Sequence, residues 1–595
     1  MLPDSNHIFP LATGAEPEPT RRLGFFAKRS ALRNIVPVLL ALLITLLFTH
    51  HSSAATSPAL DRLGALALQD GGRVMPLDSY ARGLAAQLTG REHWSADEGP
   101  QGFTRLPPMI LLLDALFRGP EMLQRKIIGI ENVPFKQLTN LDPDRRFFSA
   151  AEIGMNPRIN ELLAAFGKAI EADSAAKPSP DQKRALDLRD AVEHLLSLNH
   201  GQPLAIVPMP RGQAYLKAGL SQGDAGTETV QQALRALASA YSTGANLDPP
   251  ADALASAIRQ LGDLDPADAR SARLELFYNH HQPWRMTAYA YALSLILFGL
   301  SRLAQRRPLT IAAMIAAAWG VGEHLLGLAL RIAILERAPV SNTYESLLWM
   351  GLVAIAMSLV AQAFNRKAWY FVAGLAVALL SVLFSNLVPL ESRTGSLPAV
   401  LRSNYWLIVH VLTIVASYGV LAVGAILGHL YLIKEALLAS PASAAQPPSR
   451  FAHPLVVQVY RSLQLGLFLL TAGTILGGVW AADSWGRFWG WDPKETWALI
   501  SIVVYFIVLH ARYINWIKDF GLAASAVLGF AAIVWTFYGV NYLMGAGLHT
   551  YGFGAGGGTW VGVWALAECA FVALCRLRLR SARLRRPGKT SPIHA

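Results

Sequence analysis

From about residue 286 onward the sequence is a succession of apolar runs of about twenty residues, separated by short polar and often basic breaks. A run of that length spans a bilayer as helix, because hydrocarbon offers no partner for an unpaired backbone amide or carbonyl. Ten spans are expected, near 31–50, 286–304, 309–332, 343–364, 368–388, 404–433, 462–482, 495–512, 520–543 and 559–576. With 53% of the 595 residues hydrophobic and only 15% charged, the chain carries too little charge for an ordinary soluble enzyme of its size. The expected fold class is an all-α polytopic membrane protein with about ten transmembrane helices. A mainly helical extracytoplasmic domain separates the first span from the second.

A net charge of +12 raises the question of nucleic acid, but the basic residues sit in short segments flanking the spans. Arg21, Arg22, Lys28, Arg29 and Arg33 precede the first span. Arg302, Arg306 and Arg307, then Arg366 and Lys367, then Arg512 and Lys518, and finally Arg576 to Arg586 flank alternate later ones. Such charges orient helices in a lipid bilayer, so no nucleic-acid partner is expected. Placing them all in the cytoplasm gives one consistent threading of a bacterial inner-membrane protein. Residues 1–50 form a cytoplasmic N-terminus and signal-anchor helix, 51–284 a soluble domain on the periplasmic face, 285–576 the transmembrane domain and 577–595 a basic cytoplasmic tail. Ser52-Ser53-Ala54-Ala55 leaves cleavage of the first span as the alternative. Cys569 and Cys575 form no CxxC pair, so any thiol chemistry comes from a partner.

In the soluble domain, 157–172, 181–197 and 229–241 carry apolar residues at three-to-four spacing and read as helices. The stretch ALALQDGGRVMPLDSY, residues 65–80, alternates and turns through Asp70-Gly71-Gly72, which suggests a hairpin. With no recognisable metal or nucleophile constellation, this domain reads as a docking or scaffolding element. Residues 440–449, SPASAAQPPS, read as a flexible linker.

The densest chemistry lies in WGRFWGWDPKETW, Trp485 to Trp497. Asp492-Pro493-Lys494-Glu495 matches a helix start, with an N-cap Asp, Pro at the first position and Glu at the third. Trp497 and Trp480 sit where interfacial anchors are expected. Trp485, Trp489 and Trp491 lie between two helices with Gly486 and Gly490 interleaved, so a flat ligand can approach the backbone closely. An interfacial aromatic belt is the competing explanation.

Histidine positions bear on that choice. His410, near the outer end of its span, and His549, in the loop GAGLHTYGFGAGGG, share the membrane face of the tryptophan segment. Two imidazoles across an aromatic platform suit axial ligation of haem iron, although either histidine alone is equally an interfacial polar residue. His429 lies about 28 Å along the helix from His410, too far to share an iron. His510, near the cytoplasmic end of its span, is a candidate inner-side iron ligand. Arg337, Arg393, Arg402 and Arg487 are available to haem propionates.

The segment VWAADSWGRFWGWDPKETWALI resembles the tryptophan-rich WWD signature of haem-handling proteins, in the form found in CcsA (ResC) of the System II cytochrome c synthases. RIAILERAPVSNTYESLLW, WLIVHVLTIVASYG, LHARY and GLHTYGFG are similar to the same family's loop and histidine segments, in order. The similarity covers 286–576. Residues LQDGGRVMPLDSYA and FYNHHQPWR more weakly resemble the segment preceding the CcsA part of fused CcsB–CcsA synthases. Ala482-Asp483-Ser484 departs from the family's more frequent Asn-Glu-Ala.

The resemblance implies outer haem ligands at His410 and His549 and a membrane histidine at His510, with Trp485, Trp489, Trp491 and Asp492 at the haem-binding segment. It further implies haem b as substrate and ligand, a separate CcsB (ResB) membrane partner, apocytochrome c as acceptor and thiol reductant proteins. The activity implied is that of a holocytochrome c synthase subunit. Two alternatives remain open from sequence: a haem exporter that loads a haem chaperone, and a membrane assembly scaffold that handles no haem.

Overall fold

The structure is a computed structural model that describes residues 57–90, 94–96, 104–174, 178–365, 368–387, 405–438, 454–544 and 558–584. The expected first span, the linker at 440–449, Arg393, Arg402 and His549 lie outside the described residues.

Residues 58–281 build a helical body with small hairpins. The expected helices appear as Pro157–Ala172, Pro180–Asn199 and Glu228–Thr243. Strands Ala67–Asp70 and Arg73–Pro76 pair antiparallel, with Asp70 opposite Arg73. That register leaves a two-residue loop, and both Gly71 (φ 57°) and Gly72 (φ 79°) adopt the left-handed conformation that such a tight turn demands. Three further antiparallel hairpins occur, pairing Trp94–Ala96 with Thr104–Leu106, Lys126–Gly129 with Phe147–Ser149, and Leu204–Val207 with Leu216–Ala218. None of these three pairs is joined by a two-residue glycine turn like Gly71-Gly72, so the sequence did not announce them. The core gathers Leu63, Leu84, Leu111, Leu112, Phe135 and Leu195, all essentially without exposure. Each such side chain contributes about 1.5–3 kcal/mol on burial. Asp114, buried among them, is held by Arg118, by Arg125 at 2.7 Å and by the Tyr241 hydroxyl at 2.7 Å.

The Pro266–His281 helix hands over to Pro283–Ala304 through Gln282, in the left-handed conformation (φ 52°), with proline opening the second helix. Among the described residues nine helices are long and apolar enough to cross a membrane. They correspond one for one to the nine spans expected after residue 285. The chain is thus an all-α polytopic membrane protein.

Two of these helices, Tyr405–Leu438 and Pro454–Trp485, form the most intimate pair. In lipid no hydrophobic force drives helices together, so close packing through small residues must do so. A side-chain carbon added at Gly473 would lie 2.8 Å from the Ile414 Cα, and one at Gly466 would overlap Leu421. The last part of the Asp519–Val534 helix continues as a π-helical segment, Trp535–Met544, with one extra residue per turn.

Candidate functional site

His410 occupies the second turn of the Tyr405–Leu438 helix and points at the Pro454–Trp485 helix. Its Nδ1 donates to the Gly473 carbonyl at 2.7 Å. In a neutral imidazole a proton on Nδ1 leaves the lone pair on Nε2, so the neighbouring helix selects the tautomer. A side-chain carbon at Gly477 would lie 2.6 Å from His410 Cε1; the ring fits only because that position carries hydrogen.

The His410 ring lies parallel (7°) to that of Trp480, centroids 6.3 Å apart, and Trp480 meets Trp485 edge-on at 4.6 Å and 62°. Trp480 is 1% exposed. The expectation of an interfacial anchor at this position is therefore corrected: Trp480 is an interior residue that backs the histidine. The sequence signal was LTAGTILGGVW, in which Gly473, Gly477 and Trp480 recur at three-to-four spacing and share a helix face.

Past Trp485 the helix ends at Gly486 (φ 70°), and the chain turns back over it, so that the Phe488 ring covers Gly478. Arg487 lies against Gly490, where a side chain would overlap its guanidinium. Trp489 and Trp491 meet at 5.8 Å and 89°. Trp491 is 70% exposed and holds a left-handed backbone (φ 57°), a costly conformation for a bulky residue.

Next, Asp492 caps the Pro493–Tyr513 helix as its sequence suggested, in a complete capping box with Glu495. The Glu495 carboxylate accepts from the amides of Gly490 (2.8 Å) and Asp492 (3.2 Å), so the same residue that caps the helix ties down the tryptophan loop. Lys494 Nζ donates to Asn541 Oδ1 at 2.8 Å and joins the cap to the π-helical segment Trp535–Met544.

His510 stands apart, about 27 Å along the same helix from Asp492. It is exposed, packs on Phe506 with ring centroids 4.0 Å apart and tilted by 32°, and donates from Nδ1 to the Phe506 carbonyl at 2.8 Å. Two further histidines of the spans, His324 and His429, have structural partners. His324 is fully buried between the Tyr291 hydroxyl (3.2 Å) and the Leu348 carbonyl (2.9 Å). His429 bonds the Ala425 carbonyl at 2.9 Å and Glu568 at 2.8 Å.

The loop motif RIAILERAPVSNTYESLLW also acquires a physical basis. Arg331 and Glu345 form a fully buried pair at 2.6 Å, and Glu345 accepts the Ser341 amide at 2.8 Å while Arg337 stands 3.7 Å away. Asn342 caps the following helix by accepting the Glu345 amide at 2.8 Å. Arg331 also donates to the Tyr278 hydroxyl at 3.3 Å, which takes the Trp284 indole N–H at 2.6 Å. Of the arginines considered for propionates, Arg337 thus faces a carboxylate already.

These features define a polytopic membrane protein that presents a tautomer-fixed imidazole backed by indoles beside a strained tryptophan loop. Residues 340–549 match the model of the cytochrome C assembly protein family. The CcsA protein of Gloeobacter violaceus is 32% identical over 300 residues, which cover 42% of this chain and 84% of that protein. CcsA of Prochlorococcus marinus strain NATL1A is 36% identical over 246 residues, 36% of this chain and 76% of its own length. NrfI of Wolinella succinogenes is 38% identical over 236 residues, 38% of this chain but only a quarter of NrfI's length. The chain belongs to the cytochrome c assembly (CcsA) family of cytochrome c biogenesis proteins.

Proposed function

We propose that this protein receives haem b within the membrane and presents it at its outer face for covalent attachment to the CxxCH segment of an apocytochrome c. The observation that carries this assignment is His410, its Nδ1 held by the Gly473 carbonyl at 2.7 Å and its ring parallel to Trp480. A histidine anchored through Nδ1 offers Nε2 to a metal. His549 is the second outer ligand, Trp485, Trp489 and Trp491 hold the macrocycle and its edge, and Asp492 orders the loop that carries them. His510 is the inner-side ligand, and its exposure supports a site completed by a residue of another subunit, a CcsB-like partner.

Attachment adds each cysteine thiol across a haem vinyl group, the sulfur bonding one carbon and the proton going to the other. No net oxidation is involved, but the thiols must arrive reduced, which calls for thiol reductant proteins. The chain contributes positioning and exclusion of competing reactions. The basic segments beside alternate spans support an inner-membrane topology with residues 51–284, the tryptophan loop and the His549 loop outside.

Reconstitution in a host without cytochrome c maturation genes, with and without a CcsB-like partner, tests the proposal. Replacing both His410 and His549 by Ala abolishes holocytochrome c formation if the outer site is as proposed, and normal maturation by that variant would refute it. Dependence on a covalent haem chaperone instead of the partner would identify an exporter. A complex purified after haem-replete expression that shows no Soret band would leave only a scaffold.

A further inference from the structure

At the other end of the helix pair from the tryptophan loop lies a cavity of about 320 Å³, lined by Val456, Val457, Tyr460, Arg461, Gln464 and Arg512. It forms where the start of the Pro454–Trp485 helix meets the end of Pro493–Tyr513. A 32-residue helix is about 48 Å long, about 18 Å more than the hydrocarbon core, so its ends must project into the headgroup layers. Arg461 is about 10 Å from the start of one helix, and Arg512 is the penultimate residue of the other. The cavity therefore stands at the level where acyl chains give way to phosphates.

Its lining matches that boundary. The valines supply an apolar wall, and the guanidinium, amide and phenol groups supply donors. The charge is unbalanced in favour of an anion. Arg512 is matched by Asp519 at 2.7 Å and also donates to the Ile517 carbonyl at 3.3 Å. Arg461 is exposed and forms no hydrogen bond or ion pair with another described residue, and among the described residues no acidic side chain lines the cavity. His510, two residues before Arg512, points about 200° away around the helix, so this is not the histidine's site.

We infer that the cavity binds the phosphodiester headgroup of an anionic phospholipid, with Arg461 as the principal contact. Basic pockets between transmembrane helices suit such headgroups, and the volume falls at the lower end of the ligand-pocket range. Val456 and Val457 adjoin the first acyl carbons, and Gln464 and Tyr460 donate to the phosphate or glycerol oxygens.

The test uses the full chain solubilised in detergent, with dioleoylphosphatidylglycerol, dioleoylphosphatidylcholine and inorganic phosphate as separate probes. Native mass spectrometry reads retained lipid, and thermal unfolding reads stabilisation. The wild type is expected to retain phosphatidylglycerol after washing and to be stabilised by it alone. Arg461→Gln should lower retention about fivefold, while Arg461→Lys, which keeps the charge, should recover part of it. Equal retention by wild type and Arg461→Gln overturns the inference, as does equal retention of phosphatidylcholine. Stabilisation by inorganic phosphate alone, equal to that by the lipid, also overturns it and assigns the cavity to free phosphate. Retention is read without haem, so its failure is distinct from failure of the haem assignment.

Discussion

A hydrogen atom at position 477 decides whether His410 can keep its orientation, because a methyl group there would sit 2.6 Å from the imidazole. Gly477→Ala is expected to turn the ring off the Gly473 carbonyl and lower haem affinity by on the order of tenfold, the usual effect of disturbing the group that orients a ligating histidine. Soret absorbance during haem titration of the purified protein measures it, and unchanged affinity would detach Gly477 from the site. Glu345 permits a second test at this scale. Glu345→Gln leaves Arg331 charged in a site where it is 1% exposed, at a cost of about 3 kcal/mol. Replacing both partners with apolar residues should recover much of that, as measured by unfolding in detergent. Sequence made His410 a candidate because it falls on the same membrane face as the tryptophan segment and His549, but it took Trp480 for an anchor. Residues near a span end occupy lipid, interface or interior depending on rotation about the helix axis, which a single span does not reveal.

Among elements, the Pro493–Tyr513 helix was legible down to its first turn, because capping is local chemistry: Asp492, Pro493 and Glu495 carry all the required groups within four residues. Asp492→Ala should cost about 1 kcal/mol. Hydrogen exchange should rise first in residues 490–496, since Glu495 ties the Gly490 amide to the same cap. Exchange confined to the far end of the helix would contradict this. The contact between Tyr405–Leu438 and Pro454–Trp485 was not legible in advance, since glycines are common in transmembrane helices and only a facing partner such as Ile414 or Leu421 shows which of them permit close approach. Gly473→Val should destabilise this pair by about 1–3 kcal/mol through overpacking, read as a lower unfolding temperature.

At the scale of the whole molecule, polar contacts tie the body formed by 58–281 together and join it to the segment around the end of the Arg307–Leu335 helix. Arg73 makes a two-pronged bond to Glu275 (2.5 and 2.9 Å), which brings the first hairpin against the Pro266–His281 helix. Ser271 donates to the Ile334 carbonyl at 3.1 Å, and Arg211 faces Glu336 at 3.3 Å. Glu275 is 2% exposed, so Glu275→Ala should strand the Arg73 charge and expose the 70–76 hairpin to limited proteolysis while the spans stay protected. Protection equal to that of the wild type would show the hairpin to be held by other means. These ties join residues more than sixty or two hundred positions apart in the chain, beyond the reach of any local pattern.

Local pattern in the sequence was enough for the number and approximate positions of the spans after residue 285, the helical character of the preceding body, the first hairpin and the cap at Asp492. Each follows from forces acting within about twenty residues: the bilayer's thickness, amphipathic periodicity, paired glycines in a turn, and carboxylates satisfying free amides. Only the tertiary structure decided that Trp480 is interior, that Gly473 and Gly477 set the tautomer and position of His410, and that Arg331 pairs with Glu345. Those outcomes depend on how one helix is rotated against another, and that rotation is settled by packing between surfaces far apart in the chain.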